Sequence, residues 1–161
     1  MANKGKYYES QFEEATIELL HESHWQYAFG DDIHRKYTDP LIEEDLRNFL
    51  AVQYKDKNLI TSEMDSIVAN LRNTGGQNDY YALRNAFLLY RDGYDFAYSD
   101  GRDNPFRLEY IDFEHPDHNI FRCVNQFVME QGRENRRPDI LLFINGIPVC
   151  IIELKNPTNQ N

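Results

Sequence analysis

Near the end of the chain two apolar runs, Ile140-Leu141-Leu142-Phe143-Ile144 and Val149-Cys150-Ile151-Ile152, are separated by Asn145-Gly146-Ile147-Pro148 and bracketed by charge. Asp139 precedes the first run, and Glu153 and Lys155 follow the second. Asn-Gly between two such runs is a strong hairpin signal, because both residues accept the positive φ that a tight connection needs. The runs are apolar at consecutive rather than alternate positions. That pattern predicts interior strands covered on both faces, so the rest of the chain must supply covering layers. Charges at the margins of such strands are costly unless they are paired or hold a metal.

The preceding sequence reads mostly as helix. Tyr8 to His21 is amphipathic, with Phe12, Ala15, Ile17, Leu19 and Leu20 as the apolar stripe and Glu9, Glu13, Glu14 and Glu18 around it. Trp25 to Tyr37 reads as a loop with a short strand. Asp39-Pro40 starts a helix to about Tyr54, Thr61 or Ser62 caps another to Arg72 that Gly75-Gly76 stops, and a third spans Asp79 to Arg91 before Gly93. Strand patterns follow at Phe106 to Phe113, Asn119 to Met129, Pro138 to Ile144 and Val149 to Leu154, with a turn at Pro116. The expectation is one α/β domain over 1–161: an N-terminal helical block (helix-rich 1–95) followed by a mixed, largely antiparallel central sheet (104–155). A central-looking strand so close to Asn161 further predicts a piece of a longer protein.

At 161 residues the chain can build a real core. Its net charge of −10 argues against a nucleic-acid footprint spread over the whole surface. Any such contact is expected to be local, and Arg133, Arg136 and Arg137 form the basic cluster nearest Asp139. Cys123 and Cys150 both fall in apolar runs and read as buried free thiols of a reducing compartment. No apolar run approaches the ~18 residues that span a bilayer, and the polar start lacks a signal-peptide pattern, so a cytoplasmic protein without membrane contact is expected.

Strand alternation sends Glu153 and Lys155 to the same face. With a strict two-residue loop at Asn145-Gly146, Asp139 pairs with Ile152 and Glu153 falls on the wrong face. One extra residue pairs Asp139 with Glu153, so the chemistry predicts a bulged or three-residue connection at Asn145-Gly146-Ile147. Two adjacent carboxylates then either raise the pKa of one of them or demand a cation between them, and Mg²⁺ suits two carboxylates, waters and phosphate oxygens. The Leu154 backbone carbonyl adds a ligand. Such a metal activates water for phosphodiester hydrolysis, with Lys155 either orienting or deprotonating the water or stabilising the pentavalent charge. The bland counterpart is a salt bridge between Lys155 and one acid at a sheet rim.

The strings around these residues are more specific. Asn125-Gln126-Phe127, Arg137-Pro138-Asp139-Ile140, Leu142-Phe143-Ile144-Asn145-Gly146-Ile147-Pro148 and Ile152-Glu153-Leu154-Lys155-Asn156-Pro157 resemble the N-terminal nuclease domain of the restriction (R) subunit of type I restriction-modification enzymes. That domain belongs to the PD-(D/E)xK superfamily with its restriction-endonuclease-like fold. The resemblance implies that Asp139 and Glu153 are metal-binding acids and Lys155 the catalytic lysine. It implies a further acid on the first helix, best placed at Glu13 with Glu14 and Glu9 as rivals. It also implies Mg²⁺-dependent cleavage of double-stranded DNA, coupled to ATP-driven translocation by motor domains beyond residue 161, in a complex with methylation and specificity subunits. ATP binding would belong to those domains, since no phosphate-binding Gly-rich loop occurs here. The family's Gln-x-x-x-Tyr motif would follow Lys155, so the isolated chain is expected to cut DNA weakly or not at all. Arg133, Arg136 and Arg137 are candidate phosphate contacts, and Asn125 and Gln126 either touch phosphate or brace the acids. The alternatives are a docking module of the same complex and a standalone repair or recombination nuclease.

Other signals are weaker. His21, His24, His34, His115 and His118 match no zinc motif, and zinc is not expected. Trp25, Tyr27 and Phe29 read as core or helix–loop contacts rather than a base-stacking platform.

Overall fold

The computed structural model describes residues 9–74 and 78–155. Tyr8, Gly75, Gly76, Asn156 and Pro157 lie outside them, so the expected helix stop at Gly75-Gly76 does too. In chain order the elements are α1 (Glu9–Glu22), β1 (Gln26–Phe29), α2 (Glu43–Gln53), α3 (Thr61–Arg72), α4 (Asp79–Asp92), β2 (Tyr94–Phe96), β3 (Phe106–Leu108), β4 (Phe121–Asn125), β5 (Met129–Gln131), β6 (Glu134–Arg136), β7 (Ile140–Ile144) and β8 (Ile147–Ile152). This is a mixed α/β protein, helices first and a mixed sheet after. None of the described helices is long and apolar enough to cross a membrane. Two compact units emerge: residues 1–42 with 121–161, and residues 43–120.

The second unit holds α2, α3 and α4 with the β2–β3 hairpin, whose three-residue strands replace the longer one expected over Phe106 to Phe113. Asp39 does not cap α2. Its Oδ1 accepts from Leu41 N–H at 3.1 Å, a local turn that holds Pro40 outside the helix, and α2 starts at Glu43 with Glu43, Glu44 and Asp45 favourably placed in its first turn. The boundary of α3 is Ile60 rather than Thr61 or Ser62, with the Glu63 carboxylate reaching back to Ile60 N–H at 3.1 Å. Asn78 caps α4 through Tyr81 N–H, and Gly93 ends it as the pattern required. Inside this unit Glu63, 2% exposed, accepts two bonds from the Arg102 guanidinium, at 2.7 and 2.6 Å. Tyr110, fully buried, donates its hydroxyl to Ile67 O at 2.8 Å.

The first unit carries a four-stranded sheet in the order β1-β4-β7-β8, with β1 parallel to β4 and the other pairs antiparallel. Its core is Val124, Phe127, Leu141 and Phe143 with Ile42, flanked by Ala28, Ile33 and Met129. The Phe127 and Phe143 rings meet at 5.0 Å. The Arg35 guanidinium lies over the other side of Phe127 and donates to the carbonyls of Lys36, Asp39 and Val128, which ties the loop after β1 to the segment after β4. Gly30 is required where β1 ends, because a Cβ there would stand 2.5 Å from Gln126 O. Half-buried Trp25 packs on Phe121 at 5.2 Å between ring centres, whereas Tyr27 and Phe29 on β1 are exposed rather than core.

Two expectations about the terminal strands are corrected. β7 is interior, but β8 is the last strand of the sheet among the described residues, and Val149 and Ile151 are 43% and 54% exposed. A continuous apolar run is the signature of a strand covered on both faces, and among the described residues β8 pairs with β7 alone and these β8 side chains are not covered. Cys150 is exposed for the same reason, whereas Cys123 on β4 is buried as expected.

Candidate active site

The hairpin β7–β8 turns at Asn145 (φ 51°) and Gly146 (φ 75°), two consecutive left-handed residues that make a tight type I′ connection with Ile144 opposite Ile147. Its geometry is anchored by Ile42 N–H, which donates to Gly146 O at 2.9 Å. The three-residue or bulged turn that the chemistry predicted is therefore absent from Asn145-Gly146-Ile147. The extra residue sits further along β8. Phe143 pairs with Pro148 and Leu142 with Cys150, so Val149 is a β-bulge. The required offset is present, displaced from the turn into the strand. Leu141 then pairs with Ile151 and Ile140 with Ile152, and one more step along the same register sets Asp139 opposite Glu153.

Asp139 follows the buried Pro138 and is itself half-buried. Its Oδ2 accepts from Leu154 N–H at 2.6 Å, a short charge-assisted bond across the mouth of the hairpin. Glu153 and Lys155 are exposed on either side of the half-buried Leu154. One Asp139 oxygen is thus committed to the backbone that joins Glu153 to Lys155, and Oδ1 is not part of that bond. The three groups expected from sequence to hold a metal, the Asp139 and Glu153 carboxylates and the Leu154 carbonyl, offer only oxygen, which is the chemistry hard cations such as Mg²⁺ take.

The first-helix acid is placed differently. Glu13 on α1 is half-buried and its Oε1 accepts from Asn125 Nδ2 at 2.8 Å, while Asn125 Oδ1 accepts from the Tyr27 hydroxyl at 3.0 Å. Burial and the Glu13 carboxylate push the Tyr27 phenol above its ordinary range. Asn125 pairs with Ile140, in the row next to that of Asp139 and Glu153, and successive rows face opposite sides of a sheet. Glu13 is thus tied through Asn125 to the row beside that of the two acids. Glu14 is exposed, and Glu9 is the first residue of α1, its side chain outside the described part of the structure. Among the described residues, three potential metal ligands converge within 4.8 Å at Asp112, His115 and His118, not at Glu13, Asp139 and Glu153.

The basic residues precede Asp139 in the chain. Arg133 occupies the tip of the β5–β6 hairpin, and Arg136 and Arg137 follow it; all three are exposed, and Arg136 has Glu134 at 3.8 Å. An open groove of ≈ 470 Å³ is lined by Tyr37, Thr38, Pro40, Met129, Glu130, Glu134 and Arg136, and Asp139 and Glu153 are not among its walls. Gln126, half-buried at φ 55°, ends β4 beside Gly30. Of the two residues expected either to touch phosphate or to brace the acids, Asn125 is a brace for Glu13. Tyr27, read from sequence as a packing residue, completes that brace; only its alternation with Phe29 on a short strand signalled a shared face. His115 and His118, set aside in the sequence as matching no zinc motif, are joined in the fold by Asp112, which sequence reasoning did not single out. The signal of that cluster is the spacing Asp-x-x-His-x-x-His around Pro116.

Comparison with known proteins follows the same residues. The family model described as Type I restriction enzyme R protein N terminus matches residues 6–161. The chain is 28% identical over 163 residues to the Type I restriction enzyme HindI endonuclease subunit of Haemophilus influenzae, covering 95% of this chain and 15% of that protein. It is 29% identical over 156 residues to the putative type I restriction enzyme MjaIXP endonuclease subunit of Methanocaldococcus jannaschii, covering 92% and 15%. Over 49 residues, 30% of this chain and 5% of the relative, it is 45% identical to the putative MjaVIIP endonuclease subunit of the same organism. The chain spans about 15% of the length of the first two relatives. It belongs to the family of type I restriction enzyme R protein N termini.

Proposed function

We propose that this chain is the DNA-cutting domain of a type I restriction enzyme R subunit, a PD-(D/E)xK nuclease of restriction-endonuclease-like fold that hydrolyses phosphodiester bonds of double-stranded DNA with a divalent metal. The observations that support the reading are the Val149 bulge, after which Ile140 pairs with Ile152, and the bond from Asp139 to Leu154 N–H; one further step of that register would bring Asp139 opposite Glu153. A hairpin of this length without that offset would send the two acids to opposite faces.

Asp139, Glu153 and the Leu154 carbonyl are the residues that would hold Mg²⁺. Bound there, the ion supplies charge neutralisation at the scissile phosphate and a lowered water pKa. Asp139 is oriented by Leu154 N–H, so its remaining oxygen is presented without a search over rotamers. Lys155, two residues past Glu153 on the same strand direction, places a point cation beside the reacting phosphate, to orient or deprotonate the water or to offset developing charge. Glu13 acts as an outer acid, fixed by Asn125 and Tyr27. Arg133, Arg136 and Arg137 contact phosphates flanking the cut, a local footprint that suits a chain of net charge −10. Translocation by an ATP-driven motor, and partnership with methylation and specificity subunits, belong to the longer protein in this reading.

The test is plasmid cleavage by the longer subunit in its assembled complex, with Mg²⁺ and ATP, comparing wild type with Asp139→Ala, Glu153→Ala and Lys155→Ala. Loss of cleavage with ATPase and translocation retained is expected. Unchanged cleavage in all three variants would instead make this a docking module.

A further inference from the structure

Between β3 and β4, in the unit of residues 43–120, the segment Asp112-Phe113-Glu114-His115-Pro116-Asp117-His118 closes on itself. Asp112 is 5% exposed. Its Oδ1 accepts from His115 N–H at 2.8 Å and lies 3.7 Å from His115 Nδ1; its Oδ2 meets His118 Nδ1 at 3.0 Å and accepts from Gln53 Nε2 at 3.1 Å. Asn119 locks the loop from the other side, donating to Asp112 O at 2.7 Å and Pro116 O at 2.9 Å and accepting from Asp112 N–H at 2.9 Å. The two imidazoles stack with centres 4.9 Å apart and their side chains are 62% and 54% exposed. One ligand atom from each of Asp112, His115 and His118 lies within 4.8 Å of the others.

We propose that Asp112, His115 and His118 form a binding site for a divalent transition metal of the zinc class, made of different residues from the nuclease acids and independent of the nuclease reading. Two imidazoles and one carboxylate are the ligand set that zinc and its neighbours take with a fourth position open to water or another ligand. Metal–ligand bonds of about 2.0–2.2 Å place tetrahedral ligands roughly 3.3 Å apart. The carboxylate and the His118 nitrogen already stand at 3.0 Å, and the nitrogen of the second, exposed histidine stands at 3.7 Å, a few tenths of an ångström to close. The carboxylate is held in place by Gln53 and a backbone amide, the outer support that orients a ligand. Mixed nitrogen and oxygen ligands discriminate against Mg²⁺, which takes oxygen. The bound metal would clamp a loop now closed only by hydrogen bonds.

The experiment is calorimetric titration of Zn²⁺ into the 161-residue chain in excess Mg²⁺, with the visible spectrum of Co²⁺ as a second reading. One equivalent should bind with a micromolar Kd and raise Tm by a few degrees. His115→Ala and His118→Ala should each weaken binding by more than the roughly 10–100-fold lost with an outer-shell partner. A His21→Ala/His24→Ala variant, which removes the chain's other close histidine pair, should bind as wild type does. Asp112→Asn disturbs the loop itself, so the test rests on the two exposed histidines, with circular dichroism checking that each variant is folded. No binding, a millimolar Kd, binding that survives loss of both His115 and His118, or binding lost with His21 and His24 instead would each overturn the site.

Discussion

Asp139 carries a strut and, in the proposed chemistry, a charge, and two substitutions separate them. Its Oδ2 accepts from Leu154 N–H at 2.6 Å in a half-buried setting. A hydrogen bond to a charged group contributes about 1.5–3 kcal/mol, and partial exposure argues for the lower part of that range. Asp139→Ala should therefore cost about 1.5–2 kcal/mol, which at roughly 2–4 °C per kcal/mol for a domain of this size lowers Tm by about 3–8 °C. Asp139→Asn keeps an oxygen for Leu154 N–H and loses only the charge assistance, so its Tm should fall by about half as much. Cleavage by the longer subunit in its complex should be lost in both, since neither retains a second anionic ligand. The assays are thermal unfolding of the 161-residue chain and plasmid cleavage by the complex. Near-normal cleavage by Asp139→Asn would refute the charge role. Equal Tm in wild type and Asp139→Ala would refute the strut.

Two further outcomes are expected. The Arg102 guanidinium holds the Glu63 carboxyl down to about 2 from its ordinary 4.5, so this pair's stabilisation is present above about pH 4.5 and is lost as pH falls toward 2. Arg102→Met should lower Tm at neutral pH and flatten that acid limb in a Tm–pH profile; an unchanged acid limb would show that the pair does not govern it. Asn125→Ala removes the donor to Glu13 and the acceptor from Tyr27, and two half-exposed bonds of this kind predict a loss of about 1 kcal/mol, or roughly 2–4 °C in Tm. It should also reduce cleavage in the complex without abolishing it, and wild-type values for both would remove Asn125 from the brace.

A hairpin at Asn145-Gly146 was legible, because two successive positive φ values are a local demand that few residue pairs accept; the bulged or three-residue turn expected there was not what formed, since the offset lies at Val149. Helices α1, α3 and α4 were legible for a similar reason, their periodicity and Gly93 being short-range signals. The exposure of Val149 and Ile151 on β8, the last strand of the sheet among the described residues, was not, since an apolar run reports hydrophobicity and says nothing about what covers the strand. Nor was the late start of α2, where an Asp39 side-chain bond and the tie from Ile42 to Gly146 compete with the helix.

The chain by itself determined that two acids and a lysine flank an apolar hairpin, and that one extra residue must lie somewhere in it for the acids to meet. Only the tertiary structure decided that the extra residue is Val149, because a β-branched residue suits a strand and a bulge alike and the choice rests on pairing with β7. The partner of Glu13 was likewise beyond reading. Asn125 lies 112 residues away, and only the docking of α1 on the sheet brings the two together.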